Sequence, residues 1–239
     1  LALAVPVAGA ALIAAAHRRP NLCEAVTLVT AVLLFAVVVS LAPEVFAGAR
    51  PQLRLLEVMP GLEIAFEVEP LGMLFALVAT GLWIVTSVYS IGYMRGNDEQ
   101  HQTRYYVCFA LSLASTVGIA FAGNLFTLFL FYEALTLITY PLVVHHGNEE
   151  ARRAGRVYIG ILLATSIGLM LPAMIATWAY TGTLDFSPGG VMAGTVDPAL
   201  GSLLLVLFMY GIGKAALMPI HRWLPRAMVA PTPVSALLH

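Results

Sequence analysis

The feature that most limits the fold of this chain is a succession of long apolar runs. Seven such runs follow one another, most of them about 20 residues long, and a helix of that length crosses the hydrocarbon core of a bilayer. Charged residues make up 10% of the 239 residues and hydrophobic residues 60%. Soluble domains carry about 25% charged residues, so a single soluble core could not bury this much apolar surface. The runs lie at about 1–16, 21–42, 70–94, 103–122, 124–145, 154–181 and 198–219, and an eighth begins at Pro233. The sequence therefore predicts an all-α, polytopic membrane helix bundle.

The same composition excludes several classes of function. A formal net charge of −1 provides no basic excess for binding nucleic acid. The two cysteines, Cys23 and Cys108, lie in separate apolar runs, which excludes a disulfide framework and a thiolate metal cluster. The sequence contains no motif for a zinc hydrolase, a serine hydrolase or a phosphate-binding loop. We therefore predict a membrane protein that is not an enzyme, with no cofactor, no metal and no nucleic-acid partner.

Two features interrupt the series of spans. After Pro60 and Gly61, residues 62–69 alternate apolar and acidic side chains, which predicts an extramembrane strand and half of a hairpin. The chain begins with Leu1 rather than methionine and ends as a new apolar run starts, so we expect it to be part of a longer protein. We divide it into an N-terminal part over 1–69, with two helices and the outer strand segment, and a helical part over 70–239.

Basic residues are concentrated in alternate loops and so predict the orientation of the spans. The loops after the first, third, fifth and seventh spans carry nine of the 12 lysine and arginine residues. The other loops carry Arg50 and Arg54, and Lys214 lies inside a span. Because basic loops remain in the cytoplasm, the N-terminus is expected on the outer side. The loop at 182–197 has two aspartates and no basic residue, which fits the outer side.

Two ionisable residues of opposite sign lie in the middle of predicted spans. Glu133 is in the fifth span, and Lys214, the only lysine of the chain, is in the seventh. A charge at the bilayer centre costs about 2.5–3.5 kcal/mol on insertion scales, so such residues are rare and usually functional. Opposite signs favour pairing, and a purely structural ion pair between the two helices is the first interpretation.

A proton relay is the second interpretation. Helical spacing places polar side chains next to each charge: Thr136 and Tyr140 beside Glu133, and Tyr210 beside Lys214. Lysine suits a relay because its ammonium can lose its proton when it is buried. The helix around it is weakened by two glycines and a proline, which are Gly211, Gly213 and Pro219. A broken helix at membrane depth is tolerated where it is buried or lines a wet cavity.

Four histidines are further candidate proton carriers, because imidazole titrates near neutral pH. His239 follows an apolar turn of the eighth span, where it would be the next titratable group after Lys214. His145 and His146 lie at the cytoplasmic end of the fifth span, and His221 lies just beyond the seventh. We predict His145, His146 and His221 as possible proton-uptake or relay residues, and an ordinary interfacial histidine is the alternative for each.

Three segments resemble one family of membrane proteins. Residues 214–239 read Lys-Ala-Ala-Leu-Met-Pro-Ile-His-Arg-Trp-Leu-Pro-Arg-Ala-Met-Val-Ala-Pro-Thr-Pro-Val-Ser-Ala-Leu-Leu-His and are similar to the signature of the proton-conducting, antiporter-like membrane subunits. Residues 89–94 and 124–140, the latter with a Phe-Tyr-Glu core, match the same family. The family includes large subunits of Mrp-type sodium/proton antiporters, the pumping subunits of respiratory complex I and their membrane-bound hydrogenase relatives. The resemblance covers residues 60–239.

The resemblance implies a fold and a set of roles. It implies a longer protein with two inverted five-helix repeats, of which the second part of this chain is the first repeat. It also implies a glutamate on helix five, a lysine on a broken helix seven and a histidine on helix eight. By position these proton-translocation residues are Glu133, Lys214 and His239. Arg226 and Tyr132 differ from the usual residues of complex I members and favour the D-type subunit of Mrp antiporters.

Together these features predict a proton-translocating subunit of a multisubunit monovalent cation (sodium)/proton antiporter in a bacterial inner membrane. Its partners would be other membrane subunits of the same complex, and its ions protons with sodium or potassium. The first alternative is a redox-driven pumping subunit of a complex I-like or hydrogenase assembly. The second is a non-conducting scaffold in which Glu133 and Lys214 only join two helices.

Overall fold

The computed structural model describes residues 1–59, 62–192 and 194–238, and helices account for most of them. The α-helices are α1 (Ala4–Ala15), α2 (Pro20–Phe46), α3 (Pro70–Gly96), α4 (Gln102–Ala120), α5 (Leu125–Val143), α6 (Glu149–Thr165), α7 (Leu171–Thr181), α8 (Pro198–Gly211), α9 (Trp223–Ala227) and α10 (Thr232–Leu238). A π-helical turn over Ser166–Met170 joins α6 to α7, so these two helices together form the predicted sixth span. The prediction of an all-α, polytopic membrane bundle is confirmed.

Four helical segments of the described chain are long and apolar enough to cross a membrane. They are α2, α3, α5 and the continuous segment from α6 to α7. The apolar helices α1 and α8 are shorter than a full span. α4 has the length of a span but begins with Gln102, Thr103 and Arg104, and most of its later side chains are buried by other helices. A helix enclosed in this way presents little surface to lipid, so it tolerates more polar residues.

Prolines and polar caps at several helix starts explain where the spans begin. Proline fixes a helical backbone angle and lacks the N–H that a first turn leaves unpaired, so it favours a helix start. The side chain of Asn124 accepts a hydrogen bond from the backbone N–H of Thr127 at 2.8 Å, at the start of α5. Asn148 accepts in the same way from Ala151 at 2.8 Å, at the start of α6. Proline begins three helices, at Pro20, Pro70 and Pro198.

The core of the bundle is built around α4, which packs against α1, α2, α3 and α5. Gly118 of α4 lies against the ring of Phe131 on α5, and a β-carbon at this position would collide with the ring. This close approach brings α4 and α5 into extensive contact. On the side of α3, Trp83 and Phe109 stack with ring centroids 6.4 Å apart. α4 therefore joins α3 and α5 within the bundle.

A two-stranded antiparallel hairpin covers one end of the bundle. Strand β1 (Gln52–Met59) pairs with β2 (Leu62–Glu67), and β2 is the strand that the alternating residues 62–69 predict. Pro60 and Gly61, predicted to precede this strand, lie outside the described residues. The hairpin is attached to α5, because the backbone N–H of Ala65 donates to the hydroxyl of Thr127 at 3.0 Å.

The opposite end of the bundle carries a polar layer. Arg95, near the end of α3, forms an ion pair with the buried carboxylate of Glu24 at the start of α2. Arg104 on α4 donates to the backbone carbonyl of His145, just after α5, at 2.9 Å. The basic loops after the first, third and fifth spans therefore lie at one end, as the orientation prediction requires.

The seventh span is shorter in the structure than the sequence predicts. α8 ends at Gly211, and a single 3₁₀ turn over Gly213–Ala215 contains Lys214. Ala216 has a left-handed backbone with φ of 50°, which an α-helix does not allow. Regular helix resumes at Trp223 with α9. That these pieces act as one broken helix of an inverted repeat, as the resemblance implies, stays a prediction.

Candidate functional site

Lys214 is directed into the bundle and bound to α5. Its ammonium Nζ donates to the backbone carbonyl of Tyr132 at 3.0 Å and to the hydroxyl of Thr136. The same Nζ lies 3.4 Å from the centre of the Tyr132 ring, within the range of a cation–π contact. The side chain therefore faces α5. Its role in proton transfer is a separate prediction.

Glu133 is half-buried on α5, and its Oε1 atom is fully buried without a hydrogen-bond partner among the described residues. The ion pair expected between Glu133 and Lys214 is wrong as a direct contact, since no ion pair between them occurs in the described part of the chain. Helix geometry explains this. Tyr132 and Thr136 are separated by one turn and share a face, whereas Glu133 is rotated by about 100° from Tyr132 around the axis. The lysine therefore meets the face next to the carboxylate.

The face of α5 that receives Lys214 continues as a line of hydroxyl groups, here called the polar stripe and formed by Tyr132, Thr136 and Thr139. Their spacing of four and three residues places them on one side of the helix. Thr136 and Thr139 are both buried. At the far end of the polar stripe, the Thr139 hydroxyl lies 2.7 Å from the hydroxyl of Tyr158 on α6. The polar stripe thus runs from Lys214 toward the basic end of the bundle.

The backbone around Lys214 is bound by side chains of two other elements. The hydroxyl of Tyr132 accepts the backbone N–H of Lys214 at 3.0 Å. The indole Nε1–H of Trp223 donates to the carbonyl of Gly213 at 2.9 Å. Gly213 itself lies so close to Thr165 of α6 that a β-carbon would overlap the Thr165 hydroxyl. Where α8 has ended, side-chain groups supply hydrogen bonds that a continuous helix would supply itself.

The other predicted residues of the seventh and eighth spans are less closely grouped. Tyr210 is half-buried in the last turn of α8. His221 is exposed in the 3₁₀ turn over Ile220–Arg222. His239 lies outside the described residues, so its proton-relay role stays a prediction.

His145 and His146 meet a carboxylate that the sequence analysis did not single out. His145 Nε2 and His146 Nδ1 each lie 3.7 Å from Oε2 of Glu99, in the loop between α3 and α4. His145 is buried, and burial together with the positive charge of Arg104 lowers the pKa of His145 from 6.5 to about 4. Because the lowered pKa keeps the imidazole neutral at pH 7, its contact with Glu99 is not an ion pair under those conditions. His146 is half-exposed beside the same carboxylate oxygen.

Two functional candidates, Tyr132 and Glu99, were not predicted as site residues. Tyr132 carries a sequence signal, since it precedes Glu133 and stands one turn before Thr136 on the polar stripe. The sequence does not distinguish Glu99 from other loop carboxylates, because it meets the two histidines only through the packing of two loops. Among the described residues, no group of three or more histidine, cysteine or acidic side chains is arranged to hold a metal ion.

Comparison with known families agrees with the segments that carry the resemblance. Residues 122–239 match the family described as NADH:quinone oxidoreductase/Mrp antiporter, transmembrane. Residues 60–106 match the family described as the N-terminus of chain 5 of NADH-ubiquinone oxidoreductase (complex I). The two matches together fall within residues 60–239.

Curated relatives include components of antiporters and of a hydrogenase. The A/B-type subunit of a probable K(+)/H(+) antiporter of Rhizobium meliloti (strain 1021) is 29% identical over 87% of this chain and 21% of the relative. The A-type subunit of the Na(+)/H(+) antiporter of Alkalihalophilus pseudofirmus is 32% identical over 76% of this chain and 23% of the relative. Hydrogenase-4 component B of Escherichia coli (strain K12) is 30% identical over 74% of this chain and 26% of the relative. The chain thus spans about a quarter of the length of these relatives.

Two solved structures share the fold. A chain of the Mrp complex from Dietzia sp. DQ12-45-1b superposes with a TM-score of 0.77 and 26% identity, over 100% of this chain and 26% of the other. A chain of the membrane-bound sulfane sulfur reductase, an archaeal respiratory membrane complex, superposes with a TM-score of 0.84 over 99% of this chain and 49% of the other. Its identity of 21% makes this second match evidence for the fold alone.

Proposed function

We propose a function from the premise that this chain belongs to the family of antiporter-like membrane subunits shared by Mrp antiporters, complex I and related hydrogenases. The proposal is that it translocates protons across the membrane as part of a multisubunit monovalent cation (sodium)/proton antiporter. One observation carries it. The only lysine of the chain, in the middle of the predicted seventh span, is directed inward onto the hydroxyl of Thr136 and the carbonyl of Tyr132. An ammonium held by neutral acceptors rather than by a carboxylate can give up its proton without breaking an ion pair.

In this proposal Lys214 is the central proton carrier, Glu133 is the neighbouring carboxyl group of the relay, and His239 is the next acceptor. The carboxylate belongs to the residue next to Tyr132, beside the face of α5 that binds Nζ. Tyr210, in the helical turn before Lys214, and His221 are candidate relay groups. The polar stripe offers a line of hydroxyl groups between Lys214 and the basic end of the bundle.

Proton uptake at the basic end is assigned to Glu99 with His146. The carboxylate contacts both His145 and His146, and the half-exposed His146 is open to solvent. His145 is neutral at pH 7 because its pKa is lowered to about 4, so it is the less suitable group for collecting protons. It remains a candidate for passing them on, because neutral imidazole carries one donor and one acceptor.

In this proposal the protein lies in a bacterial inner membrane with its N-terminus outside, and its partners are other subunits of the complex. The second part of the chain, residues 70–239, is the proposed first antiporter-like repeat. The named antiporter relatives are of the A and A/B types, so the D-type assignment stays a prediction. Redox-driven proton pumping in a complex I-like or hydrogenase assembly is the second candidate, supported by the chain 5 and hydrogenase relatives.

The test compares three variants of the full-length protein in its complex, in membrane vesicles at matched protein level. Lys214→Ala removes the proton carrier, and Lys214→Arg keeps the charge but remains protonated at any relevant pH. Glu133→Gln keeps the shape of the side chain and removes its charge. The proposal expects all three to lose most cation-dependent proton movement while the complex still assembles.

The scaffold alternative makes the opposite prediction. An arginine at position 214 would still reach the carbonyl of Tyr132 and the hydroxyl of Thr136, so a purely structural role tolerates Lys214→Arg. Wild-type transport in Lys214→Arg, together with poor assembly of Lys214→Ala, would refute the proton-carrier role. Dependence of the proton movement on added sodium or potassium separates antiport from redox-driven pumping, which instead requires electron transfer.

A further inference from the structure

We propose that Tyr132 is a positioning residue for Lys214, which fixes both the backbone and the ammonium group of the proton carrier. The inference rests on the proposed function, because it assigns a role within the same transport site. Tyr132 precedes Glu133 on α5, and its side chain is 5% exposed.

Tyr132 makes three separate contacts with Lys214. Its hydroxyl accepts the backbone N–H of Lys214 at 3.0 Å. Its own carbonyl accepts a hydrogen bond from Nζ, also at 3.0 Å. Its ring lies beneath the ammonium, with 3.4 Å between Nζ and the ring centre. Three contacts from one residue define the place of the lysine backbone and the direction of its side chain together.

Because the helix is interrupted before Lys214, the backbone N–H of Lys214 needs an acceptor such as the Tyr132 hydroxyl. α8 ends at Gly211, so the N–H of Lys214 lies beyond the last regular turn of the helix. A backbone donor at membrane depth that lacks an acceptor is strongly unfavourable, because the hydrocarbon offers no water to replace it. The phenol of Tyr132 supplies an acceptor from another helix. Trp223 donates to the carbonyl of Gly213, the residue before Lys214.

These contacts separate a positioning role from a structural one. Trp223 donates to the backbone carbonyl of Gly213, whereas Tyr132 contacts the ammonium group of Lys214 itself. An aromatic face attracts an ammonium and has no comparable attraction for a neutral amine. Removing the ring therefore changes the pH dependence of transport, while removing a purely structural contact changes only how much complex assembles. Among the described residues, the acidic side chain next to Tyr132 on α5 is Glu133, which these variants leave in place.

The experiment compares Tyr132→Phe and Tyr132→Leu in the full-length protein and its complex, with transport normalised to the amount of assembled complex. Tyr132→Phe removes the hydroxyl but keeps the ring and the carbonyl. We expect transport to fall about tenfold, since it leaves one buried N–H without its acceptor. Tyr132→Leu also removes the ring, and we expect a larger loss with a shift in the pH of half-maximal transport.

Two further variants serve as controls. Tyr106→Phe removes a buried hydroxyl that has no hydrogen-bond partner among the described residues, so it should transport like the wild type. Trp223→Phe removes the bond to Gly213 and should lower the yield of complex without changing the pH dependence of transport per complex. The Trp223→Phe variant therefore provides the reference for a purely structural defect at this turn.

The outcomes distinguish the inference from the function on which it rests. If Lys214→Ala abolishes transport but Tyr132→Phe and Tyr132→Leu keep the wild-type rate and pH dependence, Tyr132 does not position the lysine and the proposed function stands. If Lys214→Ala itself transports at the wild-type rate, the proposed function is refuted. A pH shift in Tyr132→Leu that is absent from Trp223→Phe supports the positioning role.

Discussion

At the scale of single residues, the hydroxyl of Thr136 tests whether Lys214 needs a neutral acceptor. Thr136 is fully buried and accepts from Nζ, and its own hydrogen is given to the carbonyl of Tyr132 at 3.0 Å. Thr136→Val keeps the shape and removes the acceptor. We expect transport per complex to fall about tenfold, because a hydrogen bond to a charged group contributes about 1.5–3 kcal/mol. Thr136→Ser keeps the hydroxyl and should retain most of the activity.

A matched control for Thr136→Val is available on α3. Thr80 is buried to the same degree, and its hydroxyl donates to the carbonyl of Ala76 in its own helix. Thr80→Val therefore makes the same chemical change in a spanning helix away from Lys214. Equal transport by Thr136→Val and Thr136→Ser would contradict the assigned role of the hydroxyl.

His145 gives a prediction about pH and stability. The pKa of His145 is lowered to about 4 in the folded protein, first by burial and then by the positive charge of Arg104, against 6.5 in an unfolded chain. Between these two values the unfolded chain binds a proton that the folded protein does not bind. The contribution of His145 to stability is therefore complete above pH 6.5 and is lost as the pH falls toward 4, by up to about 1.4 kcal/mol per pH unit.

The measurement is the melting temperature of the purified, detergent-solubilised complex at about pH 7.5 and about pH 5. We expect His145→Gln to show a smaller difference between the two pH values than the wild type, since glutamine does not titrate. His17→Gln, at an exposed histidine near the end of α1, should leave the difference unchanged. An unchanged pH dependence in His145→Gln would show that His145 takes up its proton in the folded complex as easily as in the unfolded chain.

At the scale of helices, Gly211 allows α8 to pack against the π-helical turn that joins α6 and α7. A β-carbon at Gly211 would lie 2.7 Å from the backbone nitrogen of Met170 and 2.8 Å from its α-carbon. Backbone atoms inside a continuous helical segment cannot move aside as a flexible side chain can. We expect Gly211→Ala to destabilise the complex by about 1–3 kcal/mol, which is typical of overpacking.

The same helix provides the control for this substitution. Gly201, near the start of α8, has open space around its would-be β-carbon. Gly201→Ala should be neutral or slightly stabilising, because alanine favours helix over glycine by about 1 kcal/mol. The melting temperatures of the two variants measured side by side check the prediction. Equal values would mean that α8 does not depend on close contact with the π-helical turn.

A comparison of the predicted spans with the observed helices shows which helical features the sequence predicts. The second, third and fifth spans agree closely with α2, α3 and α5, because long apolar runs have no other stable arrangement in a membrane. The seventh span ends at Gly211, earlier than predicted, although its glycines do predict a weakened helix at this position. The sequence does not predict the partner strand β1, because its residues do not alternate strictly between apolar and polar. Its pairing with β2 also contains irregularities of register.

The site was predictable to the level of residue types but not of contacts. Two charges at membrane depth identify Glu133 and Lys214 from the sequence alone, since such residues are rare. Opposite signs then favour a direct pair, whereas the structure gives the lysine neutral acceptors on α5. Which side of α5 the lysine meets depends on how α8 ends and turns, and periodicity contains no information about that. Glu99 joins His145 and His146 through loop packing that spacing cannot predict.

At the scale of the whole molecule, the two ends of the bundle differ in chemistry. One end carries the contacts of Glu24 with Arg95 and of Glu99 with His145. The other end carries the β1–β2 hairpin and the loop at 182–192. Phe66 of β2 forms an isolated β-bridge with Ala122, in the turn before α5. By the positive-inside rule we expect the first end to face the cytoplasm, so that proton uptake there occurs from the cytoplasmic side.

Cysteine labelling in intact cells tests this orientation. In full-length protein with Cys23→Ala and Cys108→Ala, one cysteine is introduced by Ser187→Cys at the hairpin end or by Arg153→Cys at the basic end; both positions are exposed. A membrane-impermeant maleimide should label Ser187→Cys in intact cells and Arg153→Cys only after the membrane is opened. The expected pattern follows from basic loops remaining in the cytoplasm. The reverse pattern would place the N-terminus inside and would move Glu99 and His146 to the outer face. Lys214 would then receive its protons from the opposite side of the membrane.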